Sequence, residues 1–282
     1  MKTQGNILIT KASGEREAFS ETKLRRSLQR VHAPAGIIDD IVAQIENELE
    51  DGMNTSAIYS KAFSLLRKKS RPVAARYSLK RAIMELGPTG RPFERFVGAL
   101  LECEGFAITG PQVVQGVCVK HEIDASGTKD NRHVMVECKF HNLPGTRSDV
   151  KIALYVQARF EDIEKRWKKQ PEHGAKFHEA WLVTNTKLTS DAIDYAKCVD
   201  MTAIGWSYPA GNGLEDRVEK ASLHPITCLT TLTRAQKTQL LSKHIVLCKE
   251  LLENEGALLT IGLKPPAIVK VMEEAKELCG HL

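Results

Sequence analysis

Two carboxylates and a lysine lie close together in the segment GVCVKHEIDASGTKDNRHVMVECKFH, residues 116–141: Asp124, then Glu137-Cys138-Lys139. Read as strands, residues 117–125 and 132–140 pair across a turn rich in Gly, Lys, Asp and Asn. Alternation places Glu137 and Lys139 on one face of the second strand and Cys138 on the other. Asp124, near the end of the first strand, then faces Glu137 across the ladder. Two carboxylates converging on one point hold a hard divalent cation, and Mg²⁺ is the usual occupant near phosphates. A lysine beside them orients or activates the attacking water, or stabilises charge on the phosphate. Together these groups suit metal-dependent hydrolysis of a phosphodiester.

The flanking segments must position that set. Upstream, FERFVGALLECEGFAI puts Phe93, Phe96, Val97, Leu100 and Leu101 on one helical stripe, and Gly105 stops the helix before an extended stretch. Glu94 lies beside the stripe, either as an acidic member of the site or as a first-turn Glu favoured by the helix dipole. Downstream, residues 149–167 form a second helix with Tyr155 and Arg159 on one face and Gln157 close by. AWLVTNTKLTSDAIDYAKCVDMTAIGW then reads as a buried strand, a loop, an amphipathic helix from about Ser190 and a strand ending at Trp206.

That succession, from residue 92 to 232, resembles the PD-(D/E)xK nucleases and, within them, the Mrr-like restriction endonucleases. The resemblance implies a mixed-sheet α/β core and a DNA endonuclease dependent on Mg²⁺ or Mn²⁺. It implies Asp124, Glu137 and the backbone carbonyl of Cys138 as metal ligands, Lys139 assisting the attacking water, and Glu94 as a further acidic contributor. A polar residue of the second helix pointing at the site is also implied, with Gln157, Tyr155 and Arg159 all available. Such enzymes often act as dimers, since cutting both strands needs two sites, and a role in restriction or defence goes with the family.

Residues 1–91 read as a separate unit. Residues 6–10 and 17–19 form two short strands around the turn Ala12-Ser13-Gly14-Glu15, and Ser20 caps a helix from Glu21 to about Val31. Further helices fit residues 37–50, 55–69 and 72–86. The patterns ITKASGEREAFSETKLRRSL and ARYSLKRAI resemble the ATP-cone, a β-hairpin and helical bundle that senses ATP and dATP. The resemblance carries Lys11 and Gly14 at the hairpin turn, Lys23 in the first helix and Arg76 in the last onto the nucleotide. The family's usual Lys-Arg at the turn is Lys11-Ala12 here. Charge agrees with an anionic ligand: residues 1–92 hold 16 Lys+Arg against 10 Asp+Glu, a net of +6, and the remaining 24 against 25 give −1, which restores the total of +5. Taken singly, Lys23, Arg25, Arg26 and Arg30 read as a solvated or DNA-facing surface. No GxxxxGK[ST] loop occurs, so a P-loop NTPase is excluded.

The rest of the chain sets bounds. No run of 18 apolar residues marks a membrane span, and the N-terminus lacks a signal-peptide core. Seven scattered Cys without a CxxC pair fit reduced thiols of a cytoplasmic protein. Residues 87–92 read as a plain linker. From residue 233 to 282 the pattern is helical, and LLTIGLKPPAIVKVM is similar to a helix-hairpin-helix element with Gly262 in the turn, the alternative being a structural cap. The expected architecture is therefore a multidomain α/β chain: cone, nuclease-like core and small helical tail. Its expected function is a DNA endonuclease regulated by ATP or dATP and working as a homo-oligomer. The alternatives are a nucleotide-responsive DNA-binding regulator with an inactive nuclease fold, and a repair or junction nuclease.

Overall fold

The structure, a computed structural model, describes residues 7–11, 13–171 and 177–280. Strands β1 (Leu8–Thr10) and β2 (Arg16–Ala18) pair antiparallel, with Gly14 turning the chain at φ 84°. The strand start expected at Asn6, the residues before it, and Ala12 in the turn lie outside the described residues. Ser20 caps α1 (Glu21–Arg30) by accepting from the Lys23 amide at 3.2 Å. Helices α2 (Ala35–Glu48) and α3 (Thr55–Lys69) follow. The helix expected over residues 72–86 is two, α4 (Arg71–Tyr77) and α5 (Leu79–Met84). It breaks at Ser78, whose hydroxyl donates back to the Ala75 carbonyl at 2.8 Å. Leu28, Ile41, Ile45 and Leu66 bury one another in the bundle.

The middle of the chain contributes α6 (Arg91–Cys103), β3 (Ala107–Thr109), β4 (Gln112–Gln115), β5 (Lys120–Ile123), β6 (Ala125–Lys129), β7 (Arg132–Lys139) and β8 (Arg147–Ser148). Next come α7 (Val150–Trp167), β9 (Phe177–Thr184), β10 (Lys187–Leu188), α8 (Ser190–Cys198), β11 (Thr202–Ile204) and α9 (Leu214–Lys220). Five strands make the main sheet in the order β11-β9-β7-β6-β3, antiparallel from β3 to β7 and parallel from β7 to β11. Period-two alternation on β7 sorts its side chains. Val134 and Val136 join the cluster of α6, where Phe93, Phe96 and Leu100 are buried. Met135 joins the cluster of α7 and α8 with Val156, Ile163 and Ala192.

The single strand expected over residues 117–125 is interrupted. β5 pairs with β4 in a ribbon of its own, β6 pairs with β7, and Asp124 sits at the break. Ahead of β5, the carboxylate of Asp162 of α7 accepts from the amides of Cys118 (2.8 Å) and Val119 (3.2 Å) and lies 2.8 Å from His121 Nε2. Those bonds hold residues 117–119 as a turn against the helix, and His121 with the loop amides keeps the Asp162 carboxyl well below the usual carboxylate range. The β6–β7 turn comes later than expected, at Asp130 (φ 51°) and Asn131.

The tail starts with a 3₁₀ turn at Ile226–Cys228, then α10 (Arg234–Ser242), α11 (Cys248–Glu253), α12 (Gly256–Leu259) and α13 (Pro265–Cys279). Gly262 turns at φ 80° before the prolines that open α13, although the helix ahead of it has only four residues. The tail docks on the N-terminal bundle. Leu79, Ile83 and Leu86 are buried in the same cluster as α6 and as Ile226, Leu251, Val271 and Leu278. The boundary expected after residue 91 therefore cuts through a shared core. Residues 87–92 are no slack linker either: a Cβ on Gly87 would stand 2.4 Å from the Phe140 ring. Among the described residues, no helix is long and apolar enough to cross a membrane.

Candidate active site

Ala125 pairs with Val136, so the next step along the register sets Asp124 opposite Glu137. β7 outruns β6 at this point, and the freed Cys138 amide donates to Asp124 Oδ2 at 2.7 Å. A strand residue turns its N–H and C=O to the same side, so the Cys138 carbonyl faces the edge that Asp124 occupies. Glu137 points toward α7, where the buried Arg159 donates from Nη1 to Glu137 Oε2 at 2.7 Å. The Arg159 guanidinium stands 5.1 Å from the centre of the exposed Tyr155 ring. Of the three polar residues offered by this helix, Arg159 is the one that touches the site; Gln157 donates to Glu161 instead. Lys139 is exposed at the end of β7, two residues beyond Glu137 and on the same face.

Glu94 approaches from α6. It lines a cleft of about 830 Å³ together with Asp124 and with Glu122 of β5. Burial, reinforced by the charge of Asp124, pushes the Glu137 carboxyl up to about 7, with Arg159 pulling the other way. Burial also raises Asp124, opposed by the Cys138 amide, and it raises Glu94 with help from Asp124. Three acids that each resist ionisation beside one another form a site whose cost a cation would relieve. Among the described residues no three His, Cys, Asp or Glu side chains gather into a metal cage. The donor set still fits Mg²⁺, which takes one or two carboxylates and keeps several of its waters. Asp124, Glu137 and the Cys138 carbonyl supply such a set.

On the cone, Lys11 Nζ lies 3.1 Å from Glu15 and 3.0 Å from Glu17, and Lys23 Nζ is also 3.0 Å from Glu17. The structure thus brings two of the expected phosphate ligands together, with Glu17 between them and Gly14 at the adjacent turn. Arg76 is not among them. It lines a small cavity with Val31 and His32, beyond the opposite end of α1, with His224 just ahead of the tail and with Leu278 of α13. The reason is register: Ala74 and Ala75 face inward on α4, and Arg76 turns toward the tail. Arg30 also departs from the solvated surface expected of it. Its guanidinium reaches Glu215 (2.9 Å), Asp216 (2.6 Å) and Glu219 (3.6 Å) of α9. Glu17, Glu122 and the Arg30 contacts escaped the sequence reading, for which single charged residues carried no signal.

Comparison with known proteins fits this layout at both ends. The ATP cone domain family matches residues 7–85, so the hairpin and bundle are an ATP-cone. The family described as AF1548-like, C-terminal matches residues 224–279, starting ahead of the boundary expected at 233. An uncharacterized protein of Archaeoglobus fulgidus is 38% identical over 182 residues, which are 64% of this chain and 98% of that protein. A crystal structure of a protein of unknown function, AF1548, is 35% identical with a TM-score of 0.55, covering 69% of this chain and 100% of its own.

Proposed function

The chain belongs to the family of AF1548-like proteins and carries an ATP-cone in front, and from the geometry of its site we propose that it is a metal-dependent deoxyribonuclease of PD-(D/E)xK type under nucleotide control. The observation that supports this most is the meeting of Asp124 and Glu137 at the strand break, with the Cys138 carbonyl on the same edge and Lys139 beyond them. Asp124, Glu137 and that carbonyl would hold Mg²⁺ or Mn²⁺, which supplies positive charge to the phosphodiester and acidity to a bound water. The Cys138 amide fixes the Asp124 carboxylate in place. Lys139, at the open end of the strand, orients the attacking water or balances charge gathering on the phosphate. Glu94 adds a third acid at the cleft mouth. ATP or dATP on the cone acts as a signal and not as fuel, and assembly as a homodimer would give two sites for the two strands of DNA.

The Arg159–Glu137 pair favours the competing reading, a nucleotide-responsive DNA-binding protein with an inactive fold, because it already neutralises one ligand. Plasmid cleavage at low salt with Mg²⁺ or Mn²⁺, with and without ATP or dATP, separates the two. Cleavage that Glu137→Ala and Lys139→Ala abolish while DNA binding persists upholds the nuclease. Cleavage unchanged by both substitutions removes this site, and DNA binding without cleavage in any nucleotide state selects the regulator.

A further inference from the structure

A second charged space lies where cone and tail meet. A cavity of about 250 Å³ is lined by Arg67 of α3, by Arg81 and Glu85 at α5, and by Arg234 and Lys237 of α10. It adjoins a cleft of about 830 Å³ that shares Arg81, Glu85, Arg234 and Lys237 and adds an apolar wall including Tyr59, Met84 and Leu241. In the smaller cavity four cations thus surround one carboxylate. Glu85 is already engaged, accepting from Arg81 Nε at 3.0 Å. The Lys237 ammonium is drawn inward to donate to the Thr227 carbonyl at 2.7 Å, and burial lowers its pKa. Among the described residues, Arg67 and Arg234 make no ion pair, and both are exposed at the rim. Cations brought together with one lining carboxylate among them repel one another, and Glu85 and the buried Glu274 of α13 offset only part of the burial of the Lys237 ammonium.

We propose that this junction binds an oligophosphate: the polyphosphate of a nucleotide or an inorganic oligophosphate. Guanidinium forks match phosphate oxygens in pairs, and a net of three positive charges suits several phosphates better than one. The combined space is of the size that holds a small ligand, and the wall at Tyr59 and Leu241 would receive an organic body. The site is distinct from the hairpin set of Lys11 and Lys23. Its walls come from the cone on one side and from the AF1548-like tail on the other, so an occupant would tie the two together. The inference does not depend on the nuclease reading.

The test is calorimetric titration of the full chain at low salt with tripolyphosphate and with ATP, in the unaltered protein, in Lys11→Ala and in R67E/R234E. Neither arginine is buried or paired, so R67E/R234E should unfold at the unaltered temperature without ligand. Lys11→Ala is expected to keep tripolyphosphate binding, and R67E/R234E to weaken it at least tenfold. In Lys11→Ala, where the hairpin set is impaired, ATP binding tighter than tripolyphosphate identifies a nucleotide as the source, and the reverse order an inorganic oligophosphate. Undiminished tripolyphosphate affinity in R67E/R234E, or loss in Lys11→Ala alone, overturns the junction site. Failure of the hairpin reading looks different: Lys11→Ala would then leave ATP binding untouched.

Discussion

Ile83→Ala is expected to loosen the tail even though Ile83 lies inside the ATP-cone match. The side chain is fully buried in the cluster that also holds Leu251, Val271 and Leu278. Truncation removes three carbons, worth roughly 2.4 kcal/mol in transfer at about 0.8 kcal/mol per methylene. The cavity left behind brings the cost to about 2–5 kcal/mol. Against a total stability of about 5–15 kcal/mol, this is a large share for one position. Hydrogen exchange read by mass spectrometry reports where the loss falls. Amides of α11 and α13 should open more readily along with those of α4 and α5, by about thirtyfold or more at the lower bound. If α11 and α13 kept full protection while α1 to α3 lost it, the shared core would be refuted.

Two further perturbations address charge. Glu137 holds its proton more tightly folded (to about pH 7) than unfolded (to about 4.5), so this stabilisation is complete below about pH 4.5 and is lost as pH rises through 7. Glu137→Gln should flatten that decline and gain on the order of 1–3 kcal/mol at pH 7–8 in urea unfolding, a gain that shrinks when Mn²⁺ is added. An unchanged pH profile would mean that Glu137 ionises freely. Arg30→Ala should cost about 1 kcal/mol at low salt and less at high salt, because it leaves three neighbouring carboxylates on α9 unpaired. A loss independent of salt would point to packing and not to charge.

Much of this was legible in the residues because it rests on periodicity and capping. The stripe Phe93–Leu101, the run Thr55–Lys69 and the Ser20 cap all formed as their patterns require. The pairing of Asp124 with Glu137 was also legible, since register follows from alternation. The strand break at Asp124 was not. At the break the Asp124 carboxylate takes the Cys138 amide of the neighbouring strand, and ahead of β5 Asp162, some forty residues away, collects two amides and an imidazole; no local pattern announces either contact. Arg159 was one of three polar residues on its helix, and only the rotation of α7 against β7 selects it. The merging of cone and tail was hidden for a related reason. Leu79, Ile83 and Leu86 look like the inner face of any short helix, and the sequence does not say which neighbour they cover.

The placement of charges on α1 has a mechanical consequence. Lys23 sits in its first turn, beside the hairpin, and Arg30 is its last residue, hooked onto α9. Ten residues at about 1.5 Å of rise make a lever roughly 15 Å long. Pivoting it by about 10° at the Lys23 end would swing the Arg30 end through some 2–3 Å, enough to carry contacts of this length past hydrogen-bonding reach. A rearrangement too small to notice at the hairpin would thus become a make-or-break event at the opposite tip.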